Sequence, residues 1–372
     1  MEEKSMKNTL PDLLKIAVIG GGNIGTQFAC LLAYKGFCVN VHTSKPYKYD
    51  GELEIVNEKD EIIIGRPNLI TDDIGKAVKD CDVVFVTHPA FQLRDTAEKI
   101  LPYVNSAMRI VMIPGTGGTE FAFHDCINAG AVLYGLQRVP SVARLEQYGK
   151  KVRCEGLRDK LHIASLPKSD SLLISELLQY VFEIPCIILP NYLCITLVPS
   201  NPILHTTRLR TLFCDYEKGK VYDHNPLFYG EWNDSSSELL IACDDELQQM
   251  CKIIEKLDLS SVRSLKLHYE SRTVKEMTKK IRSIKSLQNL YSPMKKADNG
   301  WIPDFNSRYF TADFPFGLAI LEELSDILDY NAKNIKETMS WYRKVTGNTE
   351  KLNLSDYGIS TLNDIYNFYC NE

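Results

Sequence analysis

Two domains of different class are predicted: a doubly wound α/β domain over residues 1–189, its sheet mostly parallel with an antiparallel extension, and an all-α domain over 190–372. Three observations carry this. Short β-rich runs alternate with helical patterns through the first half, as in a parallel sheet clothed by helices on both faces. After Pro190 the β-branched runs give way to long helical periodicities. A chain of 372 residues also exceeds the size at which one core usually keeps growing.

Strands are expected at 15–19, 38–42, 82–87, 109–113, 131–135, 160–164 and 185–189, with helices at 23–35, 92–101, 119–129 and 170–182. The first helix is marked by Ile24, Phe28, Leu31 and Leu32 at helical spacing and is ended by Gly36. Lys151–Glu155 followed by Leu161–Ala164 reads as a hairpin extending the sheet antiparallel. The second half shows helical patterns at 235–257, 273–286, 314–329, 333–345 and 360–369. Two long breaks, Lys218–Asn233 and Tyr291–Asp313, are rich in Pro, Gly, Asn and aromatic residues. Loops of that length in a compact domain tend to be functional.

Composition narrows the partners. The net charge is −5 with no long basic run, which argues against nucleic acid or an anionic membrane. An anionic substrate would then need locally placed arginines. The 11 cysteines form no CxxC pair and sit mostly in apolar runs, the usage expected of reduced thiols in a cytoplasmic protein. No run suits a signal peptide or a membrane span, and no metal site is expected. Oligomeric state is open, with a homodimer as one expectation.

The most specific motif is Ile16-Ala17-Val18-Ile19-Gly20-Gly21-Gly22-Asn23-Ile24-Gly25. Gly20 permits a tight strand-to-helix turn, Gly22 lets backbone approach a pyrophosphate, and Gly25 lets the helix lie close to the strand. With Asn23 and Ile24 at the helix start, this is a Rossmann-type dinucleotide fingerprint, and Pro89, in Thr87-His88-Pro89-Ala90 after a later strand, is a further expected cofactor contact. An acid about 20 residues past the glycines usually receives the adenosine ribose in NAD-preferring folds. That place here reads Val41-His42-Thr43-Ser44-Lys45, with no acid. Thr43, Ser44 and Lys45 could hold a 2′-phosphate, so NADP(H) is favoured while NAD(H) stays open.

In the helical half, Val198-Pro199-Ser200-Asn201-Pro202-Ile203-Leu204-His205 places Asn201 at a helix cap and Pro202 at the first helical position. His205 would then project from the first turn, where the positive dipole end favours a neutral imidazole that can exchange a proton. Further on, Arg308-Tyr309-Phe310-Thr311-Ala312-Asp313-Phe314-Pro315-Phe316-Gly317 brings an arginine and a carboxylate together. Asp313 is equally placed to cap the 314–329 helix, and Arg308 to pair with Asp304 or Asp313.

The glycine fingerprint, the Asn-x-x-x-His segment and the Arg-Tyr-Phe-x-x-Asp-x-Pro-x-Gly segment, present in that order, resemble the octopine/opine dehydrogenase family over about residues 15 to 345. The resemblance implies reversible, NAD(P)H-dependent reductive condensation of an amino acid with a 2-oxo acid to an N-(1-carboxyalkyl) amino acid. It implies His205 and Asp313 as a catalytic dyad, Arg308 on the carboxylate of the oxo acid, and Asn201 near substrate or nicotinamide, with the active site in a cleft that closes to exclude water. A carboxylate that orients a histidine fixes its tautomer and stabilises its imidazolium. Arginine grips a planar carboxylate through two parallel hydrogen bonds.

Two departures from the family pattern stand out. The family often places a histidine shortly after the strand-proline-alanine segment, whereas this chain has His88 before Pro89 and Gln92-Leu93-Arg94 after it, and Arg138-Val139-Pro140-Ser141-Val142-Ala143-Arg144 lacks the usual aromatic and cysteine. The alternatives are a ketopantoate-reductase-like or other two-domain 2-hydroxyacid-type dehydrogenase, which would commonly use a lysine in the helical domain, and a non-catalytic dinucleotide sensor.

Overall fold

The computed structural model describes residues 14–169 and 171–370, and the chain divides into two compact units, Met1–Thr196 with Tyr369–Glu372, and Leu197–Phe368. In the first unit the strands are β1 (Lys15–Ile19), β2 (Cys38–His42), β3 (Leu53–Val56), β4 (Ile62–Gly65), β5 (Leu69–Thr71), β6 (Val83–Val86) and β7 (Arg109–Met112). They continue with β8 (Val132–Leu136), β9 (Val142–Gln147), β10 (Lys151–Glu155), β11 (Leu161–Leu166) and β12 (Cys186–Ile188).

Eight of them form one sheet in the order β12-β11-β8-β7-β6-β1-β2-β5. Every neighbouring pair is parallel except β11 with β8. β1, β6 and β7 are apolar along most of their length, as strands buried on both faces must be: Ile16, Val18, Val83, Phe85 and Val111 are fully buried. The chain leaves β1 for β2 on one side and later returns to β6 on the other. The sheet's switch point therefore lies between β1 and β6, and ligands of such sheets bind in the crevice beyond those strand ends.

The expected hairpin is corrected. β10 does not pair with β11; it joins a separate four-stranded sheet, β4-β3-β10-β9, antiparallel to β9 and parallel to β3, while β11 pairs with β8. Both runs are strands, but their partners come from far along the chain, and the alternation of a short run does not say which edge it will meet. The expected 119–129 helix is also two shorter ones, Thr119–Ala122 and His124–Asn128.

The first unit continues beyond residue 189, where the sequence puts a boundary, because the next residues are tied to its core. The Tyr192 hydroxyl lies 2.6 Å from Thr119 Oγ1, and Thr196 donates to the buried carboxyl of Glu120. Tyr369, near the chain's end, donates to the same carboxyl at 2.9 Å.

The second unit is built on the helices Ser200–Leu212, Asp234–Ile253, Val274–Arg282, Ala319–Ile327 and Lys333–Thr346. Asn233 caps the second by accepting from Ser236 N–H, and Thr273 with Glu276 forms a reciprocal capping box on the third. One departure from all-α is a short antiparallel ribbon, β13 (Met294–Ala297) with β14 (Gly300–Pro303), within the loop already marked as long. Gly300 is required there: its φ is +146°, and a Cβ would lie 2.3 Å from the Tyr222 carbonyl oxygen.

Candidate active site

The glycine loop follows β1 and leads into the helix Asn23–Tyr34. Gly20 takes φ +121°, and a Cβ on Gly25 would lie 1.7 Å from the Gly20 carbonyl oxygen, so helix and strand approach as closely as glycine allows. A Cβ on Gly22 would meet nothing within 4 Å. That open backbone at a helix N-terminus is the cradle a pyrophosphate needs, and the residues present fit a dinucleotide. Ile24 lies partly buried against the core, and the Asn23 side chain accepts from Leu145 N–H at 2.9 Å, tying the loop to β9. Pro89 stands at the C-terminal end of β6, where its carbonyl accepts from Gln92 N–H.

Of the three residues expected to hold a 2′-phosphate, Thr43 is corrected. It is buried, and its hydroxyl is spent on Tyr148 OH at 2.7 Å, because the end of β2 turns inward against β9's following turn. Ser44 and Lys45 are exposed. The Lys45 and Lys48 ammonium groups lie 5.7 and 5.8 Å from the centre of the Tyr148 ring, which gathers two cations beyond β2.

In the second unit, His205 lies on Ser200–Leu212, a helix that starts earlier than expected. Pro199 supplies the first accepting carbonyl, to Ile203 N–H, so Asn201 and Pro202 fall inside the first turn and His205 in the second. First-turn N–H groups have no intrahelical acceptor, so proline is tolerated at several of these positions and does not fix the register. The neutral-imidazole argument from the helix dipole weakens accordingly. Asn201 is exposed, one turn before His205 on the same face.

His205 meets Asp313: Nδ1 is 2.8 Å from Asp313 Oδ2, with only 14% and 17% of the two side chains exposed. Asp313 does not cap the following helix, since no N–H there bonds to its side chain. The chain winds instead through a π-helical turn, Phe314–Leu318, in which Leu318 N–H reaches the Asp313 carbonyl and Pro315 contributes no donor. Asp313's carboxylate is thereby free for the imidazole. On the other side, His205 Nε2 is 2.9 Å from Tyr229 OH, and the ring is walled by Tyr309 at 4.6 Å and Phe228 at 5.8 Å between ring centres. Burial pushes the Tyr229 phenol well above its ordinary range, so it acts as an O–H.

Arg308 opens the short helix Arg308–Thr311, next to Tyr309, and is exposed. Neither expected partner takes it: Asp313 is held by His205, and Asp304 accepts from Asn306 N–H. Among the described residues no carboxylate pairs with Arg308, which leaves its guanidinium available to an anion.

Sequence reasoning passed over Arg208, one turn after His205. It is 1% exposed and donates from Nε to Phe228 O, from Nη1 to Ser236 Oγ and from Nη2 to Glu231 O, with its guanidinium 5.4 Å from the Trp232 ring centre. This one side chain fixes the loop that carries Tyr229. The available signal was its spacing from His205, but nothing local shows that a charged residue will be satisfied by carbonyls of a distant loop.

Among the described residues, no helix is long and apolar enough to cross a membrane.

Comparison with known proteins adds to this geometry. Residues 188–346 match the family described as NAD/NADP octopine/nopaline dehydrogenase, alpha-helical domain, and residues 16–166 match ketopantoate reductase PanE/ApbA. The octopine dehydrogenase of Mizuhopecten yessoensis is 28% identical over 363 residues, 90% of each chain. That of Pecten maximus is 29% identical over 338 residues, covering 83% of this chain and 84% of its own. A solved octopine dehydrogenase structure with NADH and L-arginine shares the fold at a TM-score of 0.84, with 24% identity over 95% of this chain and 97% of its own.

Proposed function

This chain belongs to the octopine/opine dehydrogenase family of NAD(P)-dependent oxidoreductases acting on CH–NH groups, and from that premise we propose that His205 and Asp313 catalyse reductive condensation of an amino acid with a 2-oxo acid. The observation that carries the proposal is the His205–Asp313 contact, formed across 108 residues of sequence.

The reaction asks for three things. The carboxylate of the oxo acid must be held so that its carbonyl carbon is presented in one orientation. Arg308, exposed and free of acidic partners among the described residues, supplies that grip. Protons must be moved as the amine adds to the carbonyl and water leaves to give the imine. Asp313 accepts from His205 Nδ1–H, which leaves the lone pair on Nε2 to exchange protons, with the Tyr229 hydroxyl as its neighbour. Water must be kept from the imine, and the wall of Tyr309, Phe228 and Tyr229 shields the imidazole's surroundings. A bound reduced nicotinamide supplies the hydride to the imine carbon.

For the cofactor we favour NADP(H). Ser44, Lys45 and Lys48 offer a hydroxyl and two cations beyond β2, and the chain carries no acid at the β2 end where NAD-preferring folds have one. The substrates we propose are an amino acid and a 2-oxo acid, and we place the enzyme in the cytoplasm.

The deciding experiment is oxidation of NADPH and NADH by pyruvate and other 2-oxo acids, with and without a panel of amino acids. Strict dependence on an amino acid is the expected result. Equal oxidation without it would select a 2-hydroxyacid-type dehydrogenase and remove this reading.

A further inference from the structure

We propose that His88 is a further binding residue of the cofactor site: its Nε2 is a fixed hydrogen-bond acceptor for a hydroxyl of the adenosine ribose. The inference rests on the dinucleotide reading above and adds to it a residue that the sequence marked only as out of its usual place.

Position comes first. His88 follows β6, and Gly20 ends β1, so the two flank the switch-point crevice of the sheet. The ring lies over the glycine turn: a Cβ on Gly20 would sit 3.2 Å from His88 Cδ2 and 3.6 Å from Nε2. It also leans toward the end of β2, with its centre 6.1 Å from that of His42. The end of the second strand is where folds of this kind read the adenosine ribose, and here the stretch Val41–Lys45 carries no acid.

The proton count then fixes the tautomer. Thr96 Oγ1 lies 2.8 Å from the Gln92 carbonyl oxygen, and two oxygens that close need a hydrogen between them, which only the threonine can give. Thr96 has no second proton, so at 2.7 Å it must accept from His88 Nδ1–H. Nε2 is therefore the lone-pair nitrogen, and among the described residues nothing donates to it. Burial, with His42 alongside, lowers the His88 pKa to about 4, so the ring stays neutral at physiological pH. A neutral nitrogen with a lone pair accepts from a ribose hydroxyl, and the 3′-hydroxyl is the one that NADH and NADPH share.

The test is fluorescence titration of NADH and of its 2′-deoxyadenosine and 3′-deoxyadenosine analogues on wild type, His88→Leu and His88→Asn. Loss of one neutral hydrogen bond predicts that His88→Leu binds NADH about three- to tenfold more weakly. The same substitution should change nothing toward the analogue lacking the hydroxyl that His88 meets, and His88→Asn, whose amide oxygen can accept, should recover part of the loss. If His88→Leu folds poorly, the ¹⁵N shift of Nε2 in the wild type replaces it, moving with NADH and not with that analogue. Equal weakening toward NADH and both analogues, or no weakening at all, overturns the proposal. A wild-type protein that fails to bind NADH or NADPH would instead sink the dinucleotide reading on which it stands.

Discussion

At the scale of single residues, the site turns on where hydrogens sit. Asp313 holds His205 through Nδ1, so His205→Ala should lower kcat by about 10²- to 10⁴-fold while leaving the dissociation constant for NADPH unchanged, as stopped-flow and binding titrations would report. Asp313→Asn preserves shape but presents an amide that can donate to Nδ1, favouring the wrong tautomer. Its kcat should fall with little change in the Michaelis constants, and wild-type turnover in that variant would dissolve the dyad. Arg308→Ala is expected to raise the Michaelis constant for the oxo acid far more than that for the amino acid. The reverse pattern would exchange the two substrate assignments. These three residue types and their order were legible in the sequence. Tyr229 as the neighbour of Nε2 was not, because an aromatic beside a loop is more often packing than partner.

At the scale of elements, loops and their anchors matter most. Arg208 holds the segment Phe228–Glu231 through two backbone carbonyls, and removing it strands the buried one, that of Phe228. Arg208→Leu should cost about 1–3 kcal/mol in urea unfolding, the usual cost of an orphaned buried acceptor. It should also lower kcat through loss of Tyr229 placement. A stability within 0.5 kcal/mol of wild type, an approximate bound for harmless surface changes, would show that the loop holds itself. Its length and composition led to the expectation that this loop is functional. The sequence also placed the helix bearing His205, though a few residues late, because proline suits any early helical position and only the Pro199 carbonyl decides the start.

At the scale of the whole molecule, two units carry separate cores, and a buried carboxyl marks the first. Glu120 is fully buried, accepts from Thr196 and Tyr369, and has one oxygen without a partner, so burial pushes its pKa to about 7. The folded state thus keeps a proton that the unfolded chain releases above its ordinary value near 4.5. Stability is expected to fall as pH rises from about 4.5 to about 7, and to level off beyond that. Glu120→Gln should flatten that slope and gain most at pH 8, an approximate point above both values, measured by chemical denaturation. An unchanged slope would place the titration elsewhere.

The sequence alone determined that a glycine turn joins a buried strand to a helix, that the sheet is mostly parallel, and that an all-but-helical half follows. Each of these is written in local periodicity and in the backbone demands of glycine and proline. Only the tertiary structure decided that β10 leaves β11 for a second sheet, that Thr43 turns its hydroxyl inward, and that Asp313 gives up capping a helix to hold an imidazole. The reason is physical: a residue's conformation is set largely by its neighbours in the chain, whereas the partner of a polar group or a strand edge is whatever the fold brings within about 3 Å of it.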